Sequence, residues 1–84
     1  MSKTINLLDI RNGQIKDLAG LDLSGMDLSG ADLSQGDLEE AILNGAILRG
    51  TNLTNANLLC AYVEQAIMEG TLLTNTCLDG TPLE

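Results

Sequence analysis

The sequence predicts a solenoid, in which the chain winds around one axis and encloses a column of apolar side chains. The first observation is an apolar residue at every fifth position from Leu18 to Leu83, where only Val63 and Met68 are not leucine. The second is a small residue, most often Ala or Thr, two positions before most of these leucines. The third is Gly or Asn two positions after many of them. A strict period of this kind is the signature of a solenoid.

A period of five fits neither an α-helix nor a flat strand. On a helix, each step of five residues advances about 500°, so the leucines would scatter around the cylinder. On a strand, side chains alternate between two faces, so successive leucines would point in opposite directions. All the leucines point inward only if the chain turns a corner within every five residues.

The remaining positions of each five-residue unit agree with a coil that has corners. Small side chains suit a second inward position, where a larger one would collide with the leucine column. Leu21 and Met26 are larger, and both lie at the start of the run. Gly and Asn accept the backbone angles that tight turns require. The position after each leucine is mostly polar, as at Ser24 and Arg49, and therefore suits an outward-facing side chain.

Three segments, at residues 31–35, 51–55 and 56–60, read Ala-Asp-Leu-Ser-Gln, Thr-Asn-Leu-Thr-Asn and Ala-Asn-Leu-Leu-Cys. With them the chain resembles the pentapeptide-repeat family, whose repeat is A(D/N)LXX, over about residues 16–84. The resemblance implies an all-β solenoid, a right-handed quadrilateral β-helix with four pentapeptides in each coil of twenty residues. In that register residues 16–84 form about three and a half coils.

Residues 1–15 break the repeat, so we divide the chain into an N-terminal capping segment, 1–15, and a β-helix, 16–84. An open coil end exposes leucines and unpaired backbone, which a cap must cover. One alternative is a helix capped by Thr4 and stopped by Gly13. The other is a strand around residues 5–10 that ends in the Asn12-Gly13 turn. Because the resembled family often carries an N-terminal helix, we favour the helix. The repeats run to Leu83 without a matching lid, so either a second copy covers that coil end or it tolerates exposure.

The chain has 4 basic and 12 acidic residues and a formal net charge of −8. This charge argues against direct binding to nucleic acid or to an anionic membrane. No stretch has the length of a membrane span or the character of a secretory signal, so we expect the cytoplasm. Cys60 and Cys77 occupy different positions of the repeat and should not stack, so we expect two free thiols.

The sequence carries no constellation typical of an enzyme. It has no His, and no nucleophile, base or cofactor motif is recognisable, so we expect no enzyme activity and no cofactor. Asp17 should stack on Asp37 about 4.8 Å away, as solvated residues of the repeat and not as a catalytic pair. Acidic residues at five-residue spacing lie on four different faces, which excludes a shared metal site. These residues form a candidate acidic surface: Asp17, Asp22, Asp27, Asp32 and Asp37.

The outward position before each leucine changes from acidic to apolar along the chain. Stacking every twentieth residue places Ile42 under Tyr62 and Ile47 under Ile67, with Leu72 on the next face. A clustered exposed apolar patch often marks an interface. The structural alternative is that β-branched residues suit strand positions. The candidate partner or dimer interface consists of this patch and the coil end: Ile42, Ile47, Tyr62, Ile67, Leu72, Leu78 and Leu83.

Two function hypotheses follow. The first is a non-enzymatic structural or protein-interaction module that forms a homodimer through the C-terminal coil end or the exposed apolar face, with room for an unidentified protein partner. The second follows from the resemblance, because some members of the family mimic DNA and bind DNA gyrase; the acidic first coil is compatible with it. The acidic character fades along the chain, which weakens this second hypothesis.

Overall fold

A repeating coil occupies most of residues 6–84, the part of the chain that the computed structural model describes. Parallel bridges join each outward residue to the one twenty positions later. The bridges form four columns, which gives each coil four faces. The columns run through residues 17, 37, 57 and 77; through 22, 42 and 62; through 27, 47 and 67; and through 32, 52 and 72.

The faces are too short for ordinary strands. Within residues 6–84, pairing between coils occurs as isolated single-residue bridges, because a corner follows every five residues. Each bridge is flanked by hydrogen bonds in both directions: the Leu18 N–H donates to the Asp37 carbonyl at 2.8 Å, and the Asp37 N–H donates to the Lys16 carbonyl at 2.7 Å. The same pattern recurs along every column, so the backbone is paired although no extended strand forms.

The corners are β-turns, as the Gly and Asn positions predicted. At the first of them the Leu21 N–H donates to the Leu18 carbonyl at 3.2 Å, and Gly20 has φ +71°. A positive φ at the third residue of a β-turn is the type II pattern and favours Gly or Asn. Each turn redirects the chain so that the next leucine again points inward, which explains the five-residue period.

The leucine column forms the core. The central leucines from Leu18 to Leu58 are 0–2% exposed, and Val63 is 6% exposed. From Ala31 to Ala61 the small second inward position is buried with them, as predicted, and the threonines of this position are hydrogen-bonded. The Thr51 hydroxyl, which is fully buried, donates to the Leu28 carbonyl of the previous coil at 2.6 Å. This bond satisfies a buried hydroxyl that would otherwise destabilise the core.

A single-turn helix, α1, spans Leu7–Arg11. Its N-cap is Asn6, whose side-chain oxygen accepts the Leu8 N–H at 2.8 Å, and Gly13 follows the helix with φ +78°. The helix is therefore confirmed over these residues, with Asn6 as its N-cap and not Thr4 as expected, and the strand alternative is wrong for them. Thr4 and residue 5, which the prediction included, lie outside the described residues. The division of the chain between residues 15 and 16 stays a prediction.

α1 and the segment after it cover the first coil. The Ile10 side chain is 1% exposed and belongs to the leucine core. The carbonyl of Arg11, the last residue of the helix, accepts the Asp32 N–H at 2.9 Å, and the Lys16 carbonyl accepts the Asp37 N–H at 2.7 Å. The residues before the repeat thus supply both an apolar plug and part of the backbone pairing that an earlier coil would provide.

Candidate functional site

Exposed apolar side chains form a patch on adjacent faces of the later coils. We call it the side patch, and it consists of Ile42, Ile47, Tyr62, Ile67 and Leu72. Bridges join Ile42 to Tyr62, which define the tyrosine face, and Ile47 to Ile67, which define the isoleucine face. Tyr62 and Leu72 are each 52% exposed and Ile67 is 39% exposed, whereas Ile42 and Ile47 are half-buried. The structure therefore places Ile42 and Tyr62 on one face and Ile47 and Ile67 on the next, most exposed towards the C-terminal coil, whereas Leu72 lies on the third face, opposite Tyr62, and adjoins only the isoleucine face.

Carboxylates border the side patch. Asp22 and Asp27 lie one coil below Ile42 and Ile47 in the same bridge columns. A second set of acidic residues lies beside or between the patch residues, at the corners and in the positions after the leucines. All members of this second set are exposed: Glu40, Glu64 and Glu69.

The carboxylates of the first coil are held in a repeated local geometry. One oxygen of Asp22 accepts both the Ser24 N–H at 3.0 Å and the Ser24 hydroxyl at 2.6 Å. Such Asx turns satisfy backbone groups at a corner. Asp27 and Asp32 repeat the arrangement with the next two serines. The serine hydroxyl, and then the serine N–H, lower the pKa of each of these three carboxyls below its ordinary value. All three are therefore ionised at neutral pH.

The acidic candidates lie on four faces, as the five-residue spacing predicted, and do not form one site. The pair that the structure brings together is Asp17 and Asp37, which share a bridge, as predicted. Within residues 6–84 no group of three or more acidic or sulfur side chains is placed to hold a metal ion. The Cys60 thiol is exposed, Cys77 is half-buried, and the two are unpaired, as predicted.

Two cations, one in α1 and one at the start of the repeat, lie against the first coil. Arg11 donates to the carbonyls of Asp27 and Ser29 at 2.9 and 2.7 Å, and Lys16 donates to the Ser34 carbonyl at 2.6 Å. The positive charge of Arg11 also lowers the pKa of Asp27, as a smaller effect than its hydrogen bonds. These side chains neutralise part of the charge of the first coil. Sequence reasoning missed them, because no local pattern indicates which carbonyls they reach.

The coil end formed by residues 64–84 is the other predicted interface. The core side chains are less enclosed there than in the earlier coils, and each of the following is half-buried: Met68, Leu73, Leu78 and Leu83. The backbone is also less paired at this end. The N–H groups of Met68, Leu73 and Leu78 have no hydrogen-bond acceptor among residues 6–84. In an earlier coil, by contrast, the Leu58 N–H donates to the Cys77 carbonyl at 2.9 Å. This surface combines apolar side chains with unpaired backbone groups, and it faces along the coil axis, whereas Ile67 and Leu72 of the same coil face outward in the side patch.

Pro82 interrupts the pairing at the coil end. In its column Tyr62 N–H donates to the Ala41 carbonyl at 2.9 Å, and the next bond would run from residue 82 to Ala61. Proline has no N–H, so this bond does not form. Proline at a sheet edge limits uncontrolled strand addition. The N–H that Pro82 lacks would face Ala61 in the coil below, so the gap lies within the stack, and no bridge joins residues 62 and 82.

At the opposite end, an apolar cleft of about 120 Å³ separates α1 from the first coil. It is lined by Leu7, Ile10, Leu21, Asp22, Leu23 and Met26. Leu21 and Met26 occupy inward positions that later coils fill with Ala or Thr. The larger side chains fill much of the space between the helix and the coil, so the cleft belongs to the contact of the cap.

Residues 17–35 and 37–70 match the family model described as pentapeptide repeats, in 8 copies. The chain belongs to the pentapeptide-repeat family. Pentapeptide-repeat proteins fold as right-handed quadrilateral β-helices, and the four bridge columns agree with that architecture. The family consists of structural repeat modules, so membership indicates a scaffold and does not by itself identify a binding partner.

Two solved pentapeptide-repeat proteins are similar to this chain. One, from Nostoc Pcc 7120, has 33% sequence identity over 93% of this chain and 73% of its own, with a TM-score of 0.48. The other, from the thylakoid lumen of Arabidopsis thaliana, has 27% identity over 71% of this chain and 59% of its own, with a TM-score of 0.40. No curated protein matches the chain significantly.

The described part of this pentapeptide-repeat chain contains no helix of the length and apolar character that a membrane span requires. α1, the helix that it does contain, has 5 residues.

Proposed function

We propose that this pentapeptide-repeat chain is a non-enzymatic interaction module that associates with a second copy of itself through the coil end. The scaffold for this role is a stack of about three and a half coils. The observation that carries the proposal is the combination of half-buried core leucines and unpaired ladder groups at residues 64–84. We expect the module to act in the cytoplasm.

Association at the coil end would satisfy two physical needs at once. Core side chains such as Leu78 and Leu83 would lose their remaining contact with water, which contributes about 25 cal/mol per Å² of apolar surface. The carbonyls of Ala66, Thr71 and Thr76 accept no hydrogen bond within residues 6–84, and a facing coil would supply donors. A two-fold contact brings the same donors and acceptors of both copies together, which favours a closed dimer.

The size of the coil end sets the strength of this contact. The described chain measures 36 × 22 × 22 Å, so the coil end is a square with an edge of about 22 Å. Two such squares bury about 1,000 Å² in total, near the lower limit for a specific interface. Because the area is small, the dimer should be in exchange with monomer, with affinity that depends strongly on a few central leucines.

The experiment that tests the proposal is light scattering over a range of protein concentrations. The wild type is compared with Leu83→Asp, which places a carboxylate in the coil end, and with Ile47→Asp/Ile67→Asp, which places two in the side patch. We expect Leu83→Asp to be monomeric and the side-patch variant to dimerise like the wild type. Loss of the dimer through the isoleucine pair alone, or a wild type that is monomeric throughout, would overturn the coil-end contact.

DNA mimicry directed at an enzyme such as gyrase is the second candidate. It is favoured by the ionised aspartates of the first coil, which stand at regular positions. It is weaker because the columns above Asp22, Asp27 and Asp32 continue with Ile42, Ile47 and Asn52 instead of further charge. A supercoiling assay tests it: inhibition by the wild type that is lost in Asp22→Asn/Asp27→Asn would favour mimicry over the interaction module.

A further inference from the structure

The isoleucine face of the side patch has an arginine near two of the carboxylates that border it. At one border Arg49 Nε lies 3.1 Å from a Glu69 carboxylate oxygen. At the other, Arg11 lies near Asp27 and favours its ionised form. Asp27 and Glu69 thus each have a cation nearby, although within residues 6–84 only Glu69 has one within 4.0 Å, and Glu64, at the corner shared with the tyrosine face, has none. An apolar face whose neighbouring carboxylates are partly compensated by arginines suits aliphatic side chains of a partner.

The tyrosine face carries unbalanced negative charge. Asp22 lies one coil below Ile42, Glu40 stands at the preceding corner, and Glu64 follows Tyr62 by two positions. Within residues 6–84 no cationic nitrogen lies within 4.0 Å of these three carboxylates. An exposed aromatic ring on a face bordered by carboxylates attracts a cation in two ways, through the ring face and through the acids.

We propose that the side patch binds a cationic, apolar-faced segment of another protein, with a Lys or Arg of that segment against Tyr62. Aliphatic side chains of the segment lie on the isoleucine face. The inference rests on the proposed function as an interaction module, but it concerns a different surface from the coil end. The acidic border selects basic segments and repels nucleic acid and a second copy of this acidic chain.

The corners beside the isoleucine face leave room for a partner backbone. Gly45 and Gly50 flank Ile47, and a Cβ built at Gly45 meets no other atom within 4 Å. Gly45 therefore leaves the corner between Ile42 and Ile47 open, whereas the exposed side chains of Glu64 and Gln65 stand at the corresponding corner of the next coil. Tyr62 is 52% exposed, which leaves its ring available for stacking.

The first test uses a fluorescein-labelled amphipathic peptide of leucine and lysine, about 15 residues long. The matched control peptide has glutamate in place of lysine, and a labelled DNA duplex serves as the anionic macromolecule. Binding is followed by fluorescence anisotropy. We expect the lysine peptide to bind and the other two probes to give no signal. Binding of the glutamate peptide with equal affinity, or of the duplex, would overturn the proposal.

The second test locates the peptide on the chain. Tyr62→Leu keeps an apolar side chain but removes the ring, and should weaken binding about threefold. Asp22→Asn/Glu64→Gln removes two border charges, while the amide oxygen introduced at position 22 can still accept the Ser24 hydrogen bonds. This variant should weaken binding roughly fivefold. The matched control is Asp17→Asn/Asp37→Asn, which removes two charges from a face without the patch and should change binding less than about twofold.

Equal losses in the two charge variants would mean that the peptide senses only net charge, and would overturn the proposed location. The result is separable from self-association, because light scattering on the protein without peptide measures the dimer alone. Peptide binding that is unchanged in the monomeric Leu83→Asp variant would support a side patch independent of the coil end. Loss of peptide binding in that variant would overturn this independence.

Discussion

At the scale of single residues, the corners impose a positive φ whatever side chain the sequence supplies. Gly20 and Gly45 have φ near +70°, and so do many of the later glycines. Gln35, Glu40 and Gln65 occupy the same position with φ of +61°, +60° and +62°. A side chain with a Cβ disfavours this conformation by about 1–2 kcal/mol. The ladder between coils holds these residues in place, because a different backbone angle would break bonds on both sides of the turn.

Gln65→Gly should therefore stabilise the fold. Relief of the unfavourable φ gains about 1–2 kcal/mol, and the greater freedom of glycine in the unfolded chain costs about 0.5–1 kcal/mol, so the net gain is about 0.5–1 kcal/mol. Gly45→Gln, one coil earlier in the same corner column, is the reverse control and should destabilise. Urea unfolding of both variants measures the difference. A lower midpoint for Gln65→Gly would contradict the interpretation of these corners.

The neighbours Leu48 and Arg49 test the register of the repeat. Leu48 is 0% exposed, so Leu48→Ala should destabilise by about 2–5 kcal/mol through lost contacts and a cavity. Arg49 pairs with Glu69 on the surface, where such a pair contributes about 0–1 kcal/mol, so Arg49→Ala should be nearly neutral. Thermal unfolding compares them. Equal effects of the two substitutions would mean that the five-residue register is wrong.

At the scale of elements, α1 contributes mainly through one side chain. A helix of 5 residues is too short to be stable alone, so its formation depends on packing against the coil. Ile10 is 1% exposed and packs in the core, whereas Leu8 on the same helix is 60% exposed. The helix therefore acts as a plug held in place by Ile10, the Asn6 cap and the hydrogen bonds of Arg11.

Ile10→Ala should destabilise the protein by about 2–5 kcal/mol and expose the first coil to solvent. Leu8→Ala removes a side chain of similar size from an exposed position and should change the free energy of unfolding by less than about 0.5 kcal/mol. Denaturant unfolding measures both, and amide exchange of Leu18 and Leu23 reports on the first coil. Equal stability losses would mean that the helix packs through another face.

The Asx turns of the first coil predict the response to acid. Hydrogen bonds from the serines hold the pKa of Asp22, Asp27 and Asp32 below the ordinary value of 3.8. A carboxyl with a lowered folded pKa stabilises the fold above its unfolded pKa and loses that contribution as the pH falls through its folded pKa. The loss from these groups therefore develops below about pH 4.

The variant Ser24→Ala/Ser29→Ala/Ser34→Ala removes the hydroxyl bonds and leaves the backbone bonds. Its midpoint of urea unfolding should fall less than that of the wild type when the pH is lowered from about 5 to about 2. Thr54→Ala/Thr74→Ala, on a later part of the coil, is the control and should keep the acid response of the wild type. Parallel pH profiles for the wild type and the serine variant would exclude a contribution from these hydroxyls.

At the scale of the whole molecule, negative charge limits association between copies. Each chain carries a formal charge of −8, so two copies repel one another wherever they meet. The exposed carboxylates of Glu64 and Asp79 stand near the coil end and add local repulsion to the long-range term. Apolar burial at the coil end must overcome both.

Self-association should therefore strengthen as the ionic strength rises from about 0.05 M to about 0.5 M. Added salt shortens the distance over which the like charges of the two copies repel one another. Sedimentation equilibrium measures the dimer constant at each salt concentration, and Leu83→Asp should stay monomeric throughout. Weakening of the dimer by salt would mean that ion pairs, and not apolar contacts, join the copies.

The sequence by itself determined the coil. Apolar residues at every fifth position all point inward only if the chain turns a corner within every five residues, and burial of these side chains away from water favours that arrangement. The sequence also predicted the leucine core, the bridge columns and the exposed side patch, all of which follow from the spacing of twenty residues. Only the tertiary structure decided the details that depend on contacts between distant residues. Ile10 as the plug, Asn6 as the cap and the carbonyls that Arg11 reaches depend on how the first residues fold back on the coil. The balance of charge around Tyr62 also required the structure, because it depends on which cations approach which carboxylates, and no local pattern encodes that.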